Sequence, residues 1–218
     1  MYIPKQFEVS DLSEIKKFVE FTASADFVTI DDEGQPLATL MPILWVEDGS
    51  EYGQLIMHIS KGNPQWKSIK QNQKSLAIVH GAQAYITPNS YASKAENGKV
   101  VPTWNYTSVH ISGQVQITED EFELLKMVER LTDHHEKSET KPWSVSDAPP
   151  EFISAQLRAI VGITMKIEKV EAKAKLNQNR PETDRAGVIR TLSASDKYGD
   201  NQIAELMSTD NEKPNRLI

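Results

Sequence analysis

Cysteine is absent from the 218 residues. That absence excludes a disulfide framework, a thiolate nucleophile and any metal centre built on sulfur. Long apolar runs are missing as well: no stretch approaches the roughly 20 residues that a helix needs to cross a bilayer. The start, MYIPKQFEVSDLSE, has early acids and no apolar core of the secretory kind. The expectation is a cytoplasmic protein with no membrane role. Positive charge is also in short supply. With 24 Lys and Arg against 31 Asp and Glu, the formal charge is −7. Broad attraction to DNA rests on neutralising phosphates, so only a local basic patch could bind nucleic acid. Repeats, low-complexity tracts and a helix-turn-helix pattern are not found. No Ser-His-Asp order or carboxylate pair stands out among so many acids.

What remains is an ordinary globular composition, 39% hydrophobic and 25% charged. Asp11 and Glu14 have capping-box spacing, and Leu12, Ile15, Phe18 and Val19 follow helical spacing. FVTI reads as a strand, DDEGQP as a turn, and ATLMPILWVE as a second strand in which Pro42 marks an edge or a bulge. QLIMHIS is a third strand and NPQWKSIKQNQ a short helix. SLAIVHG and AQAYIT read as two strands parted by a glycine. The loop PNSYASKAENGKVVPT is long and polar, a candidate for a functional or mobile segment. A long strand, WNYTSVHISGQVQIT, follows it. The next helix carries Phe122, Leu125, Val128 and Leu131 at helical spacing. PEFISAQLRAIVG predicts a helix ending at Gly162, ITMKIEKVEAKAKL a final strand, and the remainder two polar tail helices. Short strands with helices inserted between them suit a small antiparallel barrel of α+β class. The expected division is a main domain over 1–175 and a helical tail over 176–218, packed on the barrel or on a partner subunit.

HISKGNPQWK carries the sharpest signal. Asn63 is a favoured N-cap and Pro64 a favoured first helical residue, so a helix starts immediately after a strand. Free amides at that start, Lys61 and Lys67 beside it and the Ser60 hydroxyl would suit a phosphate. Asn-Pro equally begins helices that bind nothing, and Trp66 equally packs. Downstream, Trp104, Asn105 and Tyr106 could set aromatic faces and one amide against a flat heterocycle; a core or dimer-interface cluster is the other reading. Lys173, Lys175, Gln178, Arg180 and Arg185 mark the one locally basic stretch, KAKLNQNRPETDR, open to a ligand, a partner or DNA, or to plain solvation. His80 and His110 read as structural histidines. His134 and His135 are adjacent on a helix and diverge by about 100°, so a metal is not expected there.

The order HISKGNPQW, SLAIVHG, AYITPNSY, VPTWNY, KAKLNQNRPETDRAGV, beginning from MYIPKQF, resembles the PaiB-type FMN-binding negative transcriptional regulators over nearly the whole chain. That resemblance implies an FMN-binding split β-barrel with peripheral helices, a homodimer, and FMN as cofactor. It implies that His58, Ser60, Lys61, Asn63, Trp66 and Lys67 form the cofactor segment, with Thr39 and Pro42 on a neighbouring strand. The chain departs from the family pattern at Leu40, where His is usual, and at Ser60–Lys61, where Ala-Arg is usual. Lys for Arg replaces a planar bidentate contact by a point charge. The function implied is negative transcriptional regulation, with sensing of flavin or a small ligand. The alternative is a flavin-dependent NAD(P)H oxidoreductase or a haem-degrading enzyme on the same fold, and the chain names no catalytic residue for it.

Overall fold

The computed structural model describes residues 1–209 and 216–218. In chain order the elements are β1 (Glu8–Val9), α1 (Leu12–Thr22), β2 (Ser24–Ile30), β3 (Pro36–Pro42), β4 (Leu44–Val46), β5 (Gln54–Ser60), β6 (Gln73–Ile86), α2 (Ser93–Asn97), β7 (Thr103–Thr118), α3 (Glu121–Glu136), α4 (Pro150–Leu157), β8 (Ile160–Lys175), α5 (Glu182–Ser193) and α6 (Asp200–Thr209). The strands follow the order β3-β2-β6-β7-β8-β5-β4, with β1 added on β8. The pairings β1–β8, β2–β3, β2–β6, β4–β5 and β5–β8 are antiparallel. This is the α+β, antiparallel split-barrel fold that the sequence led us to expect.

Met1–Thr22, Val79–His110 and Glu171–Ile218 form one compact unit; Ala23–Ile78 and Ile111–Val170 form another. Period-2 alternation builds the core of the second unit, where Phe27, Leu55, Met57, Ile111, Ile163 and Met165 are wholly enclosed. In the first unit Phe18, Val79, Leu176, Val188, Ile203 and Met207 do the same. The Asp11 carboxylate accepts from the amide and hydroxyl of Ser13, at 2.9 and 2.7 Å, and so caps α1 as its spacing predicts.

Several elements differ from the sequence reading. ATLMPILWVE is two strands: Pro42 has no amide to donate, the ladder stops, and β3 and β4 lie at opposite ends of the strand order. SLAIVHG and AQAYIT are one 14-residue strand running through Gly81. A Cβ there would lie 2.0 Å from the Thr107 hydroxyl and 2.9 Å from the Phe18 ring, so the glycine serves close packing and not chain reversal. Gly162 likewise sits inside β8, where a Cβ would crowd Thr118, Leu124 and Met127; it does not end α4. On α3 the buried face is Leu124, Met127 and Leu131, while Phe122 is exposed. The apolar stripe is therefore rotated from the expected one. The long loop after β6 is tied down: Tyr91 is buried, and Asp184 accepts from the Ser93 amide and hydroxyl.

Candidate functional site

In the second unit, β5 leads into the segment expected to hold a phosphate. Pro64–Ser68 is a single 3-10 turn of five residues, not the longer helix expected. Its start is already satisfied. The Asn63 side chain accepts from the Gln65 amide at 3.0 Å, the Gly62 amide donates to Ser60 Oγ, the Asn63 amide to the Ser60 carbonyl and the Lys61 amide to the Ala159 carbonyl. The free amides and the dipole of a longer helix are therefore not available to an anion. What the segment offers instead is side chains.

Gln65, which the sequence reading passed over, is the hub. It is 2% exposed. Its amide nitrogen donates to the carbonyls of Phe27 and Leu37 and to the Thr29 hydroxyl, at 3.1, 3.3 and 3.1 Å. Its carbonyl accepts from the Thr39 hydroxyl at 2.5 Å, and Asn63 donates to that same hydroxyl at 2.9 Å. The structure thus brings Thr39 and Asn63 together, joining β3 to the segment after β5. No signal in the sequence marks it, because an amide able to fill four bonds says nothing until the neighbouring strands are placed around it.

His58 and Ser60 alternate on one face of β5, and His58 pairs in register with Gly162, on the side where α3 packs. Burial pushes the His58 imidazole below its ordinary value, so it is neutral at neutral pH. Lys61 reaches Glu119 at 2.7 Å, and Trp66 is held by a bond from its indole nitrogen to the Lys61 carbonyl. Lys67 is exposed, its ammonium 6.0 Å from the centre of the Trp66 ring. Pro42 closes β3, and its neighbour Leu40 is 67% exposed.

In the first unit, strand alternation divides the expected aromatic wall. Trp104 and Tyr106 share one face of β7. Asn105 points to the other and is fully buried against Met207, with its carbonyl oxygen left without a hydrogen bond. It cannot share a ring-binding wall with them, a correction that the period of two imposes. Trp104 is 45% exposed, donates to Gln83 at 3.1 Å and stands 6.0 Å from Tyr85.

The expected basic stretch is mostly internal bonding. Lys173 is 7% exposed, donates to the Tyr2 carbonyl and lies 5.0 Å from the Tyr106 ring. Lys175 donates to the Trp104 carbonyl at 2.6 Å and to the Thr103 hydroxyl at 2.5 Å; burial, and then Lys173, push its ammonium below the ordinary value. Gln178 accepts from the Leu176 amide and donates to the Ala174 carbonyl. Arg180 stacks 4.8 Å from the Tyr91 ring, and Arg185 donates to the Met207 carbonyl.

Comparison with known proteins decides the family. Residues 1–169 match the family described as "Putative FMN-binding domain". The chain belongs to this family. FMN is accordingly its cofactor. The FMN-binding chain is 35% identical over 207 residues to "Protease synthase and sporulation protein PAI 2" of Bacillus subtilis, covering 95% of this chain and 96% of that protein. Among solved structures it is similar to the flavocytochrome Anf3 of Azotobacter vinelandii, with TM-score 0.57 and 16% identity over 85% of this chain and 78% of that one. It is also similar to the FAD and haem binding protein of Mycobacterium smegmatis, with TM-score 0.55 and 14% identity over 82% and 78%. At such identities the likeness is one of fold. No described helix is long and apolar enough to cross a membrane.

The donors around residues 60 to 67 suit the phosphate of FMN. The Ser60 oxygen accepts from Gly62 and keeps its own proton for donation. Lys67 has no carboxylate partner among the described residues. The Lys61–Glu119 pair is half exposed and of the kind that contributes about 0–1 kcal/mol, so an incoming anion can displace the glutamate.

Proposed function

We propose that this protein is an FMN-binding negative transcriptional regulator that acts as a homodimer and responds to its flavin or to a small ligand. The observation that carries the regulatory part is similarity, end to end, to a protein named for protease synthesis and sporulation. A shared catalytic residue plays no part in it. Support for a dimer comes from apolar side chains left open in each unit, Leu40 in one and Trp104 in the other.

Within this reading Ser60, Lys61 and Lys67 hold the phosphate, Trp66 and His58 flank it, and the Thr39–Asn63–Gln65 bonds fix the segment that carries them. In the first unit, Trp104 and Tyr106 present an aromatic face of their own for a flat ligand or a partner. When bound, FMN supplies a ring that accepts and returns electrons; the residues here bind and orient it.

Two measurements test the proposal. Purified protein titrated with FMN should show a saturable spectral shift, and its mass in solution should be that of two chains. A strain lacking the gene should then show raised transcripts from its targets, restored by the wild-type gene and not by a Lys67→Ala, Ser60→Ala double variant. Unchanged transcripts together with rapid NAD(P)H oxidation by the purified protein would replace the regulator by an oxidoreductase.

A further inference from the structure

The first unit contains a cavity of about 590 Å³ that takes no residue from the cofactor segment. Its size falls within the range of roughly 300–1,000 Å³ usual for small-molecule sites. Phe18 and Phe21 of α1, Leu206 of α6 and Leu217 give it apolar walls, and Ala82 of β6 lines it as well. Two basic side chains, His80 and Arg216, stand among them. Arg216 lines the cavity, its Nε is buried without a hydrogen-bond partner, and its guanidinium has no salt bridge among the described residues.

The half-buried Arg216 guanidinium has no counter-ion among the described residues, and the group that matches its planar fork is a carboxylate. Glu205 also lines the cavity. Its charge opposes a second negative charge on any occupant, which disfavours phosphate monoesters and dicarboxylates. The apolar walls want a body that is flat or aliphatic and larger than acetate. We infer that this cavity is a binding site for a small aromatic monocarboxylate, its carboxylate on Arg216 and its ring against Phe21 and Leu206. The site is independent of the FMN reading, because none of its residues is assigned to the cofactor.

Calorimetric titration of the FMN-loaded full chain with 2-naphthoate, and in parallel with neutral 2-naphthamide, tests it. The acid should bind saturably and at least about tenfold more tightly than the amide, the advantage expected of one charge-assisted bond. Arg216→Gln should remove that advantage while leaving the amide's affinity and the flavin spectrum unchanged. Ala82→Leu, which fills the cavity, should weaken both ligands. Absence of saturable heat from 2-naphthoate at millimolar concentration would overturn the inference, as would equal affinity for acid and amide. Should Arg216→Gln fail to fold, the acid-to-amide ratio in the wild-type chain and the Ala82→Leu variant decide it.

Discussion

HISKGNPQWK and KAKLNQNRPETDR look alike as sequence: each is polar, cationic and placed next to a strand end. Folded, they differ. In the second, Lys173, Gln178, Arg180 and Arg185 are bound to carbonyls, an amide or a ring of their own unit, and Asn177 takes a left-handed φ of 61° while donating to the Tyr91 hydroxyl. In the first, the internal bonding is concentrated in Asn63, Gln65 and Thr39, and the Ser60 proton and the Lys67 ammonium are left over. A run of charged residues is therefore no measure of a binding site. What matters is which donors remain once the local structure has taken its share.

The comparison can be broken most forcefully at Asp184. Fully buried and accepting two bonds from Ser93, it should cost about 3 kcal/mol when changed to Ala, since two charge-assisted bonds are lost and a half-buried amide is left without its partner. Urea unfolding checks this, and a change below about 0.5 kcal/mol would return the stretch to the class of solvated surface. Next is Gln65→Leu, expected to cost about 2–3 kcal/mol, because Phe27, Thr29, Leu37 and Thr39 all lose a partner. It should also weaken FMN by loosening the segment. A variant of full stability that binds FMN normally would show that this network positions nothing.

Lys67→Ala sharpens the contrast from the other side. Stability should move by less than about 0.5 kcal/mol, whereas FMN should bind roughly tenfold more weakly and riboflavin unchanged, because only FMN carries the phosphate. Equal loss for both ligands would contradict the assignment. The smallest effect concerns pH. Burial lowers the His58 imidazole below 6.5, its ordinary value, so the unfolded chain takes up a proton before the folded one does. Stability is then fully present above about pH 6.5 and falls as pH drops toward the lowered folded value. His110 is shifted the same way, by burial first and then by the N-terminal amine. His58→Asn should flatten part of the decline in urea midpoint between pH 7 and pH 5; an unaltered slope would show that His58 does not carry it.

Much of the fold was legible because strand and helix periodicities are local. QLIMHIS matches β5 residue for residue, and Asp11 caps α1 from its spacing alone. The misread elements share a cause. Gly81 and Gly162 looked like punctuation, yet each is glycine because a distant side chain in its own unit occupies the space of a Cβ. The α3 stripe was misplaced because Phe122 and Leu124 both fit a helical period, and only the packing partner chooses between them. Of the candidate site, Asn105 could have been separated from Trp104 by counting residues along a strand, whereas Gln65 could not have been found without Thr39, Phe27 and Leu37 around it.

The sequence by itself determined the order of elements and the absence of thiol chemistry, which follow from residue type and near-neighbour spacing, while the cofactor family came from the likeness of its ordered motifs to a known family. Which polar groups stay free to meet a ligand was decided by the tertiary structure. Hydrogen-bond partners such as Gln65 with Leu37, or Asp184 with Ser93, come from far along the chain. A donor's availability depends on every such partner at once.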